Sequence, residues 1–187
     1  RSPRRMSVGS EGGETIEGWA MVELGSCCDL YQPPTLTKKE LDPAGDIPVY
    51  GANGVIGFHS VSNHEDPEVL LACRGNVGAV NISTGRAWIN GNAMVCRPRN
   101  ASLSKHYLAY VLQAVDLGPA ISGTAQLQIT RKSLSPIQIP VCDSFEQAEI
   151  VRILDTQLAR LDKAFEVADH VEAECGRLRR SLLQAAF

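Results

Sequence analysis

The chain has few aromatic residues, 5% of the total, which argues against an aromatic stacking platform for single-stranded nucleic acid or carbohydrate. It has no apolar run of membrane-spanning length, and the basic residues 1–6 are not followed by a signal-peptide core, so a soluble intracellular protein is expected. No CxxC pair occurs. Cys27, Cys28, Cys73, Cys96, Cys142 and Cys175 lack zinc-cluster spacing and read as buried, reduced thiols, which leaves the sequons at Asn81 and Asn100 without weight. His59, His64 and His106 have no ligand or triad partners at useful spacing. Gly51, Gly54 and Gly57 form neither a P-loop nor a dinucleotide fingerprint. The segment 32–35, Gln-Pro-Pro-Thr, lacks both the short amide or carboxylate and the aromatic ring of an adenine methyltransferase tetrad, and reads as a plain loop. No catalytic or metal-binding constellation emerges, and no cofactor is expected in this chain.

Acid is scarce in one place. Residues 69–142 hold seven basic side chains, Arg74, Arg86, Arg97, Arg99, Lys105, Arg131 and Lys132, against one acid, Asp116, although the whole chain carries a net charge of −3. A locally basic surface on an acidic chain suits a domain that meets a polyanion on one side, and an ordinary surface of uneven charge is the competing reading.

What the chain has in abundance is helix periodicity at its end. From Ser144 to Phe187 apolar or small residues recur at three and four spacing. One seam position holds Leu154, Leu161, Ala168, Cys175 and Leu182, and the other Ile150, Gln157, Ala164, Val171 and Leu178. Leu158 and Phe165 widen the stripe. A helix of this length runs to ~65 Å, longer than the ~35–40 Å expected of the preceding domain, so much of the stripe requires a partner helix. Ser144 and Gln147 read as a capping box, Gly176 as a place for a kink, a close approach or fraying, and Arg177, Arg179 and Arg180 as complements to the helix dipole. The middle of the seam, with Gln157, Ala164 and Ala168, is small and partly polar, which weakens the pairing.

Between these extremes, residues 1–15 read as a disordered leader, and ordered structure is expected to begin near Trp19. Short strands follow: 47–50 returning through Asn53-Gly54 to 55–58, then 69–73, 77–82, 88–89 and 93–96. A helix capped by Ser102 or Ser104 runs to about Val115. Leu127 and Ile129 are expected to point one way, and Ile137, Ile139 and Val141 to face the core. Arg74, Asn76, Asn90 and Asn92 fall at strand ends and turns. Arg can bond guanine bidentately and Asn adenine, so these positions suit base reading, while ordinary turn chemistry is the alternative for each Asn.

Taken in order, IPVYGANGVIG, the strand with RGNVGAV, GTAQLQI, IQIPVCDSFEQAEIVRILD and LRRSLLQAAF resemble the specificity (S) subunits of type I restriction-modification systems, over residues 19–187. The family's proline-rich IPVPP is here Ile-Pro-Val-Cys-Asp. The resemblance implies a mixed α/β target recognition domain with a twisted sheet over 16–142, and a coiled-coil spacer helix over 143–187. With one copy where full-length members have two, the chain resembles a half-subunit expected to pair as a homodimer, or with a second recognition unit, on a bipartite DNA site. The implied chain is not an enzyme. Methylation from S-adenosylmethionine and DNA cleavage would belong to partner modification and restriction subunits in the cytoplasm. On this reading Lys38, Lys39, Arg86, Arg131 and Lys132 clamp phosphates. Tyr50, Asn53, Arg74, Asn76, Asn90 and Asn92 read bases. Ile150, Leu154, Leu158, Leu161, Phe165, Ala168, Val171, Cys175, Leu178 and Leu182 form the dimer interface. The alternative is an interaction adaptor or decoy that binds restriction-modification subunits without reading DNA.

Overall fold

The computed structural model describes residues 6–8, 14–16, 18–124 and 126–186, and the chain divides into two units, Arg1–Ala148 and Glu149–Phe187. The first unit is built on a four-stranded sheet ordered β4-β10-β7-β8, with β4 Cys28–Tyr31, β7 Val69–Ala72, β8 Val80–Ile82 and β10 Ala93–Pro98, all neighbours antiparallel. Every residue of β7 is buried, which is why this strand reads as a continuous apolar run rather than an alternating one. One face of the sheet meets a second, three-stranded sheet ordered β6-β5-β9, formed by β5 Ile47–Gly51, β6 Gly54–His59 and β9 Trp88–Ile89. Leu70 and Val95 pack there in one core cluster with Tyr50, Ala87, Ile89 and Ala93. Helix α2, Lys105–Ala114, lies against β7 and β8 and buries Tyr107, Leu108, Ala109, Val111 and Leu112. Its N-cap is Ser104, one of the two residues expected to cap it.

The hairpin β5–β6 turns through Ala52 and Asn53 into Gly54, whose φ of +98° is the left-handed conformation that favours glycine. Three strand pairs complete the unit. They are β3 Ala20–Glu23 with β13 Gln138–Val141, β11 Ile121–Ser122 with β12 Gln128–Ile129, and β1 Met6–Val8 with β2 Glu14–Ile16. The last pair lies in the leader expected to be disordered. Two three-residue strands are too short to register as a periodicity. Ile137 and Ile139 are buried as expected. Leu127, by contrast, is 50% exposed because it precedes β12 rather than belonging to it. The short helices α1 Leu24–Cys27 and α3 Arg131–Leu134 link strands.

Helix α4 spans Ser144–Ala186 without interruption, so Gly176 does not end it, and a Cβ there would meet nothing closer than the Arg180 guanidinium at 3.7 Å. Arg177, Arg179 and Arg180 therefore sit more than a turn before the end, where the dipole gives them little, and Arg177 pairs instead with Glu174 at 2.6 Å. The capping box also needs correcting. Asp143 takes the capping role, accepting from the Glu146 amide at 2.9 Å. Gln147, fully buried, turns away from the helix start into the globular unit. Of the cysteines, Cys28, Cys73, Cys96 and Cys142 are buried and free, Cys27 is half-buried, and Cys175 is exposed in the single chain.

Candidate nucleic-acid interface

The topology brings several connections to one end of the globular unit. Ala72, closing β7, stands opposite Ala93, opening β10, so the 73–79 turn lies beside the 90–92 turn, and the Cys73 amide donates to the Asn92 carbonyl at 3.0 Å. The Cys73 carbonyl accepts from the Ile129 amide at 3.1 Å, which places the start of α3 at the same end. The Asn90 amide donates to the Tyr50 carbonyl at 2.9 Å and adds the tip of the β5–β6 hairpin. The Gln32 amide donates to the Gly91 carbonyl at 3.0 Å and adds the loop after β4. A Cβ at Gly91 would stand 2.6 Å from the Pro33 carbonyl oxygen, so this junction closes only on a glycine.

Six of the expected DNA-binding residues gather at this end: Asn53, Arg74, Asn76, Asn92, Arg131 and Lys132, all exposed. Among the described residues none of these six side chains makes an ion pair or a hydrogen bond, so their donors are open to a ligand. Arg131 and Lys132 border an open hollow with Glu23, Ser135 and Pro136. The segment 32–35, read from sequence as a plain loop, walls the same end. Its contribution was hidden because the contact of Gln32 with Gly91 spans 59 residues of sequence.

Lys38 and Lys39 are exposed on a 3-10 turn, Lys38–Glu40, capped by Thr37 and Glu40. Arg86 lies at the opposite end of the strands, after β8, and faces Glu65 at 3.5 Å. Two base-reading assignments fail. Tyr50 is only 7% exposed, sits in the core cluster, and holds the Thr84 amide through its hydroxyl at 3.1 Å. Asn90 is 2% exposed; its side-chain amide donates to the Leu36 carbonyl at 2.8 Å and its oxygen accepts from the Leu36 amide at 3.1 Å. Asn90 braces the loop end from beneath, Tyr50 ties the core to the segment after β8, and neither side chain faces outward.

The basic stretch is less basic in space than in sequence. Arg97 meets the buried Glu68 at 2.7 Å, with Lys105 at 3.7 Å from the same carboxylate, and Arg99 meets Asp29 at 2.9 Å. With Arg86 on Glu65, four of the seven cations are matched by acids from outside residues 69–142. The remaining three, Arg74, Arg131 and Lys132, are all at the loop end. Their charge is therefore concentrated where the asparagines are exposed, which is the arrangement that phosphate and base-edge contacts both need.

Behind the sheets, His64 is buried and joins Asn63 and Tyr31. The Asn63 oxygen already accepts from the Ile89 amide at 2.8 Å, so it accepts from His64 Nδ1–H at 2.6 Å, and His64 Nε2 accepts from the Tyr31 hydroxyl at 2.9 Å. Burial pushes the His64 pKa down and that of Tyr31 up, favouring both neutral forms. Arg97 stands over the Tyr31 ring at 5.6 Å, extending the same polar layer to Glu68.

The structure thus shows a mixed α/β unit whose converging loops carry cations and amides without partners among the described residues, in a chain that also has a long helix. Residues 16–166 match the family model of the type I restriction modification DNA specificity domain, and the chain belongs to that family. A putative type I restriction enzyme specificity subunit of Haemophilus influenzae is 28% identical over 151 residues, covering 79% of this chain and 38% of that protein. Among solved structures, the S subunit of a type I restriction-modification system from M. genitalium matches 87% of this chain and 43% of its own at a TM-score of 0.67 and 17% identity, a likeness of fold. The HsdS subunit of Thermoanaerobacter tengcongensis matches 82% and 41% at 0.62 and 27% identity. A chain from a structure of a type I R-M system, solved for its complex assembly and conformational transition, matches 91% and 46% at 0.72 and 25% identity. The expected family and the mixed α/β fold with a long terminal helix are thus both found. This chain spans less than half the length of each of these relatives.

Proposed function

We propose that this chain is a DNA-reading specificity unit of a type I restriction-modification system, which contacts duplex DNA with the loop end of its globular unit and pairs through α4. The observation that carries the reading is the convergence of Arg74, Arg131 and Lys132 with Asn53, Asn76 and Asn92, all exposed and without partners among the described residues. The cations hold phosphates and fix register, and the asparagines and Arg74 read base edges in the major groove. The chain performs no chemistry. S-adenosylmethionine binds the partner modification subunit, which methylates adenine, and restriction subunits cleave unmodified DNA; the assembly works in the cytoplasm.

The helix supplies the second half of the reading. Leu161, Phe165, Val171, Leu178 and Leu182 are 53–71% exposed on the single chain. Burying one such side chain is worth ~1.5–3 kcal/mol, so a second copy laid along this stripe is strongly favoured over water. Two recognition units related by a two-fold axis read a bipartite palindromic site. The test is methylation mapping of DNA from cells that express this chain with a modification subunit. A two-part palindromic motif that disappears when Asn53, Asn76 and Asn92 are all changed to Ala supports the reading. Methylation with no motif, or an unchanged motif in that variant, overturns it.

A further inference from the structure

The tip of the β5–β6 hairpin carries two apolar side chains that the contacts proposed above do not use. Asn53 is exposed at the turn, and Val55 and Ile56 follow it at 51% and 46% exposure. Strand β6 is an edge of its sheet and contains no Lys, Arg, Asp or Glu. An edge strand that exposes consecutive β-branched residues without a charge is an aggregation hazard that folds ordinarily blunt, so its presence here points to a ligand. Ile56 is also held in place. Val49 pairs with Gly57 and Tyr50 with Val55, which leaves Ile56 as the extra residue of a bulge. A bulge bends the strand and re-aims a side chain. The Ile56 side chain lies over Gly51, where a Cβ would stand 2.9 Å from Ile56 Cγ2, so any side chain at 51 would displace it. Strand β9 pairs with Val49 and Tyr50 alone, and from Gly51 onward the tip is a two-stranded ribbon. The Asn81 side-chain oxygen lies 4.0 Å from where a Cβ on Gly54 would stand, which sets the ribbon against β8, just after the turn that carries Arg74 and Asn76.

We propose that Ile56, flanked by Val55, is a specificity-determining residue that reads the 5-methyl group of a thymine in the major groove, beside the base pair met by Asn53. This rests on the proposed function. The major groove of B-DNA is ~12 Å wide and admits a two-stranded ribbon, and the thymine methyl is the apolar feature that its base edges present there. Continuity with Asn53 selects DNA as the occupant. The other exposed apolar residue of the strand, Phe58, stands opposite Pro48, away from the tip, and its carbonyl accepts from the Asp42 amide at 2.9 Å. Because Gly51 already seats Ile56, the contact needs little further ordering when DNA arrives. A cytosine in place of the thymine would offer no methyl and would bring an amino donor against an apolar group, so the same side chain disfavours a G·C pair at that position.

The experiment uses the full chain together with a modification subunit, on duplexes bearing the motif found by methylation mapping. Each thymine of the motif is replaced in turn by uracil, which removes the methyl and leaves base pairing and the O4 acceptor as they were. Fluorescence anisotropy compares the thymine and uracil duplexes for wild type, Ile56→Ser and Ile56→Gln. The Ser variant removes the apolar arm; the Gln variant keeps its length, ends in a polar group, and serves where the first fails to fold. In wild type, one thymine of each half-site is expected to bind about three- to fivefold more tightly than uracil, the worth of one buried methyl-sized group. In either variant that preference is expected to vanish at this thymine while preferences at other positions stay as in wild type. Equal binding of thymine and uracil by wild type at every position overturns the inference and leaves the proposed function standing, and this arm needs no variant. A wild-type preference for thymine in a folded variant overturns it as well; if that variant also loses the modification subunit, the tip is a protein contact instead. If methylation mapping yields no motif, the proposed function fails and this inference with it.

Discussion

Replacing Asn90 with Ala separates a structural amide from a base-reading one, because the two roles move different observables. The Asn90 side chain makes a two-way contact with Leu36, donating at 2.8 Å and accepting at 3.1 Å across 54 residues of sequence. It substitutes for a rung of backbone pairing between the loop after β4 and the turn before β10. Removal leaves the Leu36 N–H and C=O unpaired at a position only 9% exposed. Each buried unsatisfied group costs ~1–3 kcal/mol, and partial relaxation toward water brings the pair to ~2–4 kcal/mol. For a chain of this size that lowers Tm by roughly 4–16 °C. Urea unfolding followed by far-UV circular dichroism measures the first quantity, and duplex binding well below Tm measures the second. Asn90→Ala is expected to unfold at lower urea with an unchanged m-value, and to weaken binding of every duplex, cognate or not, by a similar factor. Stability within ~0.5 kcal/mol of wild type, coupled to relaxed preference at a single base pair, would refute the structural assignment and restore Asn90 to the recognition surface.

Arg74→Ala is expected to leave stability within ~0.5 kcal/mol and to cost ~1–3 kcal/mol of binding at one base position, read by anisotropy on duplexes varied at each position. Lys132→Ala, in contrast, should weaken binding of all sequences alike and reduce the salt slope by about 1 per recognition unit. Leu161→Glu together with Phe165→Glu places charge in the apolar stripe of α4 and is expected to give a monomer by light scattering, with the unfolding of the globular unit unchanged; a dimer of wild-type affinity would exclude this face as the interface. Burial lowers the His64 pKa below its unfolded value of about 6.5, so the unfolded chain takes up the proton first as pH falls. The stability held by neutral His64 is therefore full above about pH 7 and is lost progressively below about 6.5; thermal melts from pH 7.5 to 5 should show this slope in wild type, flattened in His64→Gln.

The parts legible in the sequence were those governed by local pattern. The strand β7, the Asn53-Gly54 hairpin, the span of α2 and the length of α4 all follow from periodicity and turn chemistry acting locally along the chain. What was not legible depended on partners distant in the chain. Asn90 and Asn92 flank the same glycine and look alike in sequence, yet one binds Leu36 and is buried while the other is exposed. Gln147 satisfies the spacing of a capping box, and Asp143, one residue earlier than the expected cap, takes that task and frees Gln147 to reach Ser102 and Ser104. Tyr50 follows the alternation of a strand that is half exposed in most hairpins, but β9 pairs with β5 on its other side and makes it a central strand.

Charge shows the same division more sharply. Counting along residues 69–142 points to a basic surface for a partly mistaken reason, since Arg86, Arg97, Arg99 and Lys105 are matched by Glu65, Glu68 and Asp29, none of which lies in that stretch. The pairings do not abolish the expectation; they relocate it. A cation already paired gives up that partner to bind phosphate, whereas an exposed unpaired one gives up only hydration and counterions. Among the described residues Arg74, Arg131 and Lys132 are of the second kind, and the backbone bond from the Ile129 amide to the Cys73 carbonyl is what holds their two segments together. Changing Arg97 to Ala should accordingly disturb Glu68 and the Tyr31–His64 layer and lower stability, while leaving the salt dependence of DNA binding as it is in wild type. Loss of salt dependence in that variant, with stability retained, would move the phosphate contacts from the loop end to the opposite end of β10, where Arg97 lies.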